Sequence, residues 1–159
     1  LPITRTWADG DSVQVEFPMA LHAWPMPDDD TILAIMFGPL VLAGQLGTEG
    51  MTEAMIRGQE STQAHEPVSV PPFVAAAEEL DAWIRPVPGS PLTFRTVGQE
   101  RDVTFVPIHR LFGQRYGLYW KVFRKDGPLH RKYLAGHAER EARRVRTVDK
   151  VINKAPHGL

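Results

Sequence analysis

The sequence predicts a mainly β domain, an antiparallel β-sandwich of jelly-roll type with a short helix near 73–84 and a C-terminal helix near 131–147. Three observations predict it. Two apolar runs, Thr31 to Phe37 and Pro39 to Leu46, flank a Gly38-Pro39 break, and each has the length of a buried strand. Fourteen prolines and thirteen glycines in 159 residues favour many short elements joined by turns. No βαβα alternation appears, which argues against a parallel doubly wound sheet.

The elements follow in order. Asp9-Gly10-Asp11 is a turn signal. Val13, Val15 and Phe17 then alternate with polar residues, the period-two pattern of a half-buried strand, and Pro18 ends it. Met19 to Trp24 reads as a second strand, and Pro25 to Asp30 as a rigid turn. Strands are expected over 31–37 and 39–46. Residues 47–72 form a long excursion with one strand near Val68-Ser69-Val70. Residues 73–84 have helix-forming composition, with Val74, Ala77, Leu80 and Ile84 near one face; they read as a helix of two or three turns or as an irregular stretch, and Pro86 and Pro88 close them. Leu92 to Thr96 and Asp102 to Ile108 read as strands. Tyr116 to Phe123 is the clearest β-rich run, dense in aromatics, and Asp126-Gly127-Pro128 ends it. In the final helix Leu134, Ala138, Ala142 and Val145 make a narrow apolar stripe that asks for a docking surface. The expected division is a β-sandwich domain over 1–130 and a helix and tail over 131–159 that lead towards a following domain.

Composition limits the chemistry. A chain of 159 residues is one domain with room for a proper core. With no cysteine there is no disulfide, thiolate metal site or cysteine nucleophile. No run approaches the ~20 apolar residues of a membrane span. Leu1 to Arg5 is not a basic start leading into an apolar run, so no signal peptide is expected, and the missing initiator Met suggests a processed or excised chain. Residues 1–100 hold four Arg against fourteen Asp or Glu, while residues 101–159 hold fourteen Lys or Arg against five. The basic end is expected to pack on acidic surface of this chain or of a neighbouring domain. Basic residues around the stripe, Arg131, Lys132, Arg140, Arg143, Arg144, Arg146 and Lys150, lack the interleaved aromatics that stack bases, so no nucleic-acid partner is expected.

No catalytic constellation stands out. His22, His65, His109, His130, His137 and His157 form no metal-spaced pair, and His130 and His137 share a helix face only if the helix starts early. Asp28-Asp29-Asp30 lacks the glycine and the bidentate Glu of a calcium loop, and a turn aspartate capping backbone amides is the simpler expectation. Ser12, Ser61, Ser69 and Ser90 sit in no nucleophile elbow, and no phosphate loop exists. The expectation is no catalytic residue, no metal and no cofactor. Sugar binding through exposed aromatic platforms is a reasonable candidate. Trp24 and Trp83 flank prolines and are the two tryptophans expected at the surface, whereas Trp120, Tyr119 and Arg115 are expected in the core or at an interface.

Three stretches carry a family resemblance. They are Arg5 to Asp11 with Phe17-Pro18-Met19 and Ala34 to Gly44, then Val103 to Arg110 through Gln114 to Trp120, and finally Ala138-Glu139-Arg140 with Arg146 to Ile152. Together they resemble the segment after the catalytic barrel in glycoside hydrolase family 127, the β-L-arabinofuranosidase-like proteins formerly catalogued as a domain of unknown function. The resemblance covers most of the chain except 47–90. It implies an (α/α)₆ barrel with a zinc-cysteine cluster and a glutamate acid/base elsewhere in the polypeptide. It also implies that this cysteine-free chain is a non-catalytic β-sandwich bracing that barrel. The implied partners are the barrel and an oligosaccharide, the implied substrate class is arabinose-containing glycans, and the implied parent is secreted or periplasmic. A stand-alone carbohydrate-binding module is the alternative.

Overall fold

In a computed structural model, the chain is described over residues 2–60 and 68–152, with side chains given to residue 143. Ser61, His65 and His157 lie outside the described residues, as do the side chains of Arg144, Val145, Arg146 and Lys150.

The fold is mainly β. Its strands are β1 (Leu21–Pro25), β2 (Ile32–Phe37), β3 (Leu40–Gly47), β4 (Phe73–Ala75), β5 (Ile84–Pro86), β6 (Phe94–Thr96), β7 (Thr104–Pro107), β8 (Arg115–Gly117) and β9 (Tyr119–Arg124). They form one curled sheet in the order β4-β9-β2-β3-β7-β6-β5, with β1 on β2 and β8 on β3. Two α-helices are present among the described residues, α1 (Glu53–Ile56) and α2 (Pro128–Ile152). The antiparallel jelly-roll sandwich expected from the sequence is corrected to one curled sheet that is not wholly antiparallel. β4 runs parallel to β9, Phe73 beside Val122, so the sheet is mixed.

The two apolar runs at 31–46 form a hairpin at the centre of the sheet, with Phe37 opposite Leu40. Its two-residue loop is Gly38-Pro39. Gly38 has φ of 54°, the left-handed conformation that a glycine at the first loop position supplies. Ile35 and Leu42 are fully buried. They belong to a core with Phe73, Trp83, Ile84, Phe94, Val103, Phe105 and Trp120. Around Phe73 the rings pack closely: Trp120 stacks at 5.1 Å, Trp83 tilts at 5.7 Å and Phe105 meets it edge-on at 6.2 Å. The Trp120 ring lies over Gly44 and Gly117, which face each other across β3 and β8. A Cβ on Gly117 would sit 2.8 Å from the ring, so the slot depends on both side chains being absent.

Four local expectations fail. Residues 12–17 carry no regular secondary structure, and the whole of 2–20 is exposed, with Phe17 at 70%. The alternating pattern is present, but among the described residues no strand offers it a ladder, and an isolated strand is not stable in water. Residues 68–70 are not a strand either, although Val70 packs on the core. The helix expected over 73–84 is replaced by β4, a bend and a 3-10 turn over Leu80–Ala82. Burial of the Phe73 ring overrides helix propensity there, and the Gln99 side chain takes both the N–H (2.7 Å) and the C=O (3.3 Å) of Val74. Lastly, α2 starts at Pro128, three residues before the expected 131, and runs to Ile152 rather than 147. Proline at the first helical position suits that start.

The early start adds His130 to the face of α2 that meets the sheet. His130 and Tyr133 face Phe123 of β9 at 6.3 and 5.2 Å, and His137 lies 5.9 Å from Tyr133. The expected stripe of Leu134, Ala138 and Ala142 points away and is exposed, so it does not dock on this sheet. Within this chain, contacts between the basic end and acidic residues include the ion pairs Arg124–Glu78 (3.3 Å) and Lys121–Asp29 (3.8 Å). Exposed pairs of this kind contribute little.

Candidate functional site

Strand alternation assigns each side chain of the central strands to one of two faces. Ala23, Ile35, Leu42 and Trp120 point to the core. His22, Trp24, Ile32, Ala34, Met36, Val41, Tyr119, Lys121 and Phe123 therefore point outward. This outward face is covered at both ends. α2 covers Phe123, and a second small core of Ala43, Val106 and Leu111 with Leu118 covers the other. The strip between them is open.

In that strip Trp24 pairs with Ala34, and Ala34 pairs with Tyr119, across β1, β2 and β9. Residues directly opposite one another share a face, so the two aromatic side chains flank one methyl group. Their backbone positions are about 10 Å apart, two strand spacings. Trp24 is 64% exposed and Tyr119 58%, whereas Ala34 between them is buried. The next row towards the hairpin is His22, Met36 and Val41. On the other side Ile32 pairs with Lys121, whose ammonium faces Asp29.

The sequence-predicted pair Trp24 and Trp83 is not brought together. Trp83, expected at the surface, is 3% exposed and lies against Phe73. Pro86 does not keep it outside, because Trp83 follows a 3-10 turn whose Leu80 is also buried. A ring in that position has no free face. Tyr119, expected in the core or at an interface, is the outward residue, and its neighbour Trp120 is the core one at 5%. The signal was available. Lys121 shares Tyr119's face by alternation, opposite to Trp120, although Phe123 on that same face is buried because α2 covers it. Arg115 is half-buried and donates to the Glu49 carbonyl.

A second feature is a groove of about 950 Å³ between α2 and the Pro25–Thr31 turn, lined by Asp29, Lys121, Leu129, Tyr133, Glu139 and Arg140 among others. The aspartate run beside it makes a turn. Asp29 Oδ1 accepts from the Thr31 backbone N–H at 2.9 Å and from the Thr31 hydroxyl at 2.5 Å. These bonds, with Lys121 adding its charge, hold the Asp29 carboxyl below its ordinary value of 3.8. No group of three or more His, Cys, Asp or Glu is close enough to hold a metal ion among the described residues. Among the same residues no helix is long and apolar enough to cross a membrane.

A family model, described as a domain of unknown function, matches residues 22–122, well over half of the sequence. The chain belongs to the DUF4986 family. No curated protein matches it. The DUF4986 match contains the whole Trp24–Ala34–Tyr119 row and the aromatic core. It leaves out the exposed segment 2–20 and all of α2, and therefore one wall of the groove.

Proposed function

We propose that this chain is a non-catalytic accessory domain of a glycoside hydrolase family 127-like protein acting on arabinose-containing glycans, and that it braces the catalytic (α/α)₆ barrel of the same polypeptide. On this reading the curled sheet is one of the sandwich domains that follow the barrel. The observation that carries the reading is residues 2–20. They hold the Arg5-to-Asp11 and Phe17-to-Met19 motifs of the resemblance, and they lie outside the DUF4986 match. They also present Trp7, Val13, Val15, Phe17 and Met19 to solvent in a segment without regular secondary structure. A strand-patterned segment with an exposed apolar side is what a neighbouring domain would cover. The test is hydrogen exchange in a polypeptide that carries a family 127-type barrel ahead of this chain. Amides 12–19 should exchange more slowly there than in the chain alone, and Phe17→Asp should lower the barrel's melting temperature. Equal exchange in both settings, or hydrolysis of aryl arabinosides by the isolated chain at enzyme-like rates, overturns the proposal.

A second reading, a carbohydrate-binding module acting in its own right, has one observation in its favour: the outward exposure of Trp24. It predicts heat above dilution when the isolated chain is titrated with arabinan.

A further inference from the structure

We infer that the Trp24–Ala34–Tyr119 row is a stacking platform for an uncharged, extended oligosaccharide of three or more rings, the first and third of which lie on the two aromatic side chains. The inference rests on the carbohydrate-binding reading and narrows it to a site. It changes the residues as well, because Trp83 drops out and Tyr119 enters.

Four observations carry it. The two aromatic side chains sit on the same face of β1 and β9, the strands that flank β2, in fixed register, so the spacing of their backbone positions is set by the sheet rather than by a loop. That separation, about 10 Å, is two strand spacings and suits alternate rings of an extended glycan. The residue between them is alanine, already buried among its neighbours, so the two exposed aromatic side chains themselves form the contact surface. Lastly, the face carries little charge. Across the three rows the fixed cation is Lys121, and it lies 3.8 Å from the Asp29 carboxylate. An anionic or cationic ligand therefore finds no complementary field, while a polyhydroxylated neutral one finds apolar ring faces flanked by the polar heads of Lys121, Asp29 and His22. Strip length fits as well. The covering elements at Phe123 and at Ala43 leave open the rows where Trp24 and Tyr119 stand.

The test is titration of the 159-residue chain, by calorimetry and tryptophan fluorescence, with four probes: arabinohexaose, xylohexaose, cellohexaose and oligogalacturonate. The expected result is saturable binding of at least one neutral hexasaccharide, unchanged between low and high salt, and much weaker binding of the corresponding disaccharide. Trp24→Ala and Tyr119→Ala should each weaken it by about tenfold. Both positions are exposed, so an unchanged urea midpoint checks that the variants fold. Binding that persists in Trp24→Ala and Tyr119→Ala overturns the platform but leaves the carbohydrate-binding reading standing. No binding of any probe sinks both. Binding of oligogalacturonate alone, lost in salt, replaces the platform with an electrostatic site. If the row is instead covered by a neighbouring domain, Trp24 emission in the longer polypeptide will be shifted to the blue and unresponsive to the probes, which also overturns it.

Discussion

Two groups of aromatic side chains occupy opposite faces of the same strands. Tyr119 and Trp120 are adjacent in sequence, yet Trp120 fills a slot made by Gly44 and Gly117 while Tyr119 stands in solvent beside the Ala34 row. Trp83 and Trp24 repeat the contrast on different elements. The difference teaches that aromatic content does not distinguish a scaffold from a binding surface. Register does. On the inner face the rings pack on one another at 5 to 6 Å, and on the outer face they are held apart by an alanine.

The sharpest way to break the comparison is to truncate one ring on each side. Trp120→Ala removes a side chain that touches both Phe73 and Phe105, and it should cost about 3–5 kcal/mol. Much of the stability of a domain this size would go with it. Tyr119→Ala, one residue away, should change stability by no more than about 0.5 kcal/mol. Urea denaturation of both variants decides the matter. Similar midpoints would mean that the two faces are not distinct.

The next test acts on the slot rather than the ring. A Cβ at Gly44 would lie 2.7 Å from Cη2 of Trp120 and 2.7 Å from Cγ1 of Val103. Both neighbours are buried, and the Trp120 ring has no free side to move to. Gly44→Ala should therefore destabilise by about 1–3 kcal/mol, as overpacking does. A neutral or stabilising result would show that the core has slack and that the glycine pair is not what seats Trp120.

Much of this was legible in the sequence, and the failures have physical causes. The 31–46 hairpin, the strands near 94–96 and 104–107 and the aromatic run at 116–123 were all readable from apolar runs and turn residues. The break at Leu118 was not, because it comes from Leu118 joining Ala43, Val106 and Leu111 on the outer face. Residues 73–84 read as helix because alanine and glutamate favour one locally, but the packing of Phe73 and the side chain of Gln99 decided otherwise. Trp24 was found from its flanking proline, and the same argument misplaced Trp83. A proline near a tryptophan reports chain direction and says nothing about which face the ring takes. The helical stripe of α2 does not mark the contact face because the residues that meet Phe123, His130 and Tyr133, are aromatic and polar rather than aliphatic.

A smaller effect is expected at the polar end of the inner face. Thr96 is the one polar side chain buried among the described residues. Its hydroxyl accepts from the Val103 N–H at 2.8 Å and donates to the Asp102 carboxylate at 3.2 Å. Thr96→Val keeps the shape and leaves that N–H without its acceptor, at a cost of about 1–2 kcal/mol. Thr96→Ser retains the hydroxyl and should recover part of the loss. If both variants lose equally, packing of the methyl group matters there and the hydrogen bonds do not.

The smallest effect belongs to the rim of the outward face and is read through pH. Thr31 donates two hydrogen bonds to Asp29 and Lys121 lies opposite, so the folded carboxyl titrates below 3.8, its ordinary value. A carboxylate with a lowered folded pKa adds stability that is complete above the unfolded value and is lost as pH falls through the folded one. The window therefore lies below pH 3.8, and nothing should change near neutrality. Asp29→Asn should flatten the acid limb of the stability curve slightly. Thr31→Val, which removes the hydroxyl and keeps the backbone donor, should move the Asp29 titration part of the way back up in a carboxyl NMR experiment. Because Asp29 also faces Lys121 beside the row, the same two variants separate rim from platform. They should shift the acid limb while leaving the emission of Trp24 where it was, and a coupled change would mean that the turn and the aromatic row act as one unit.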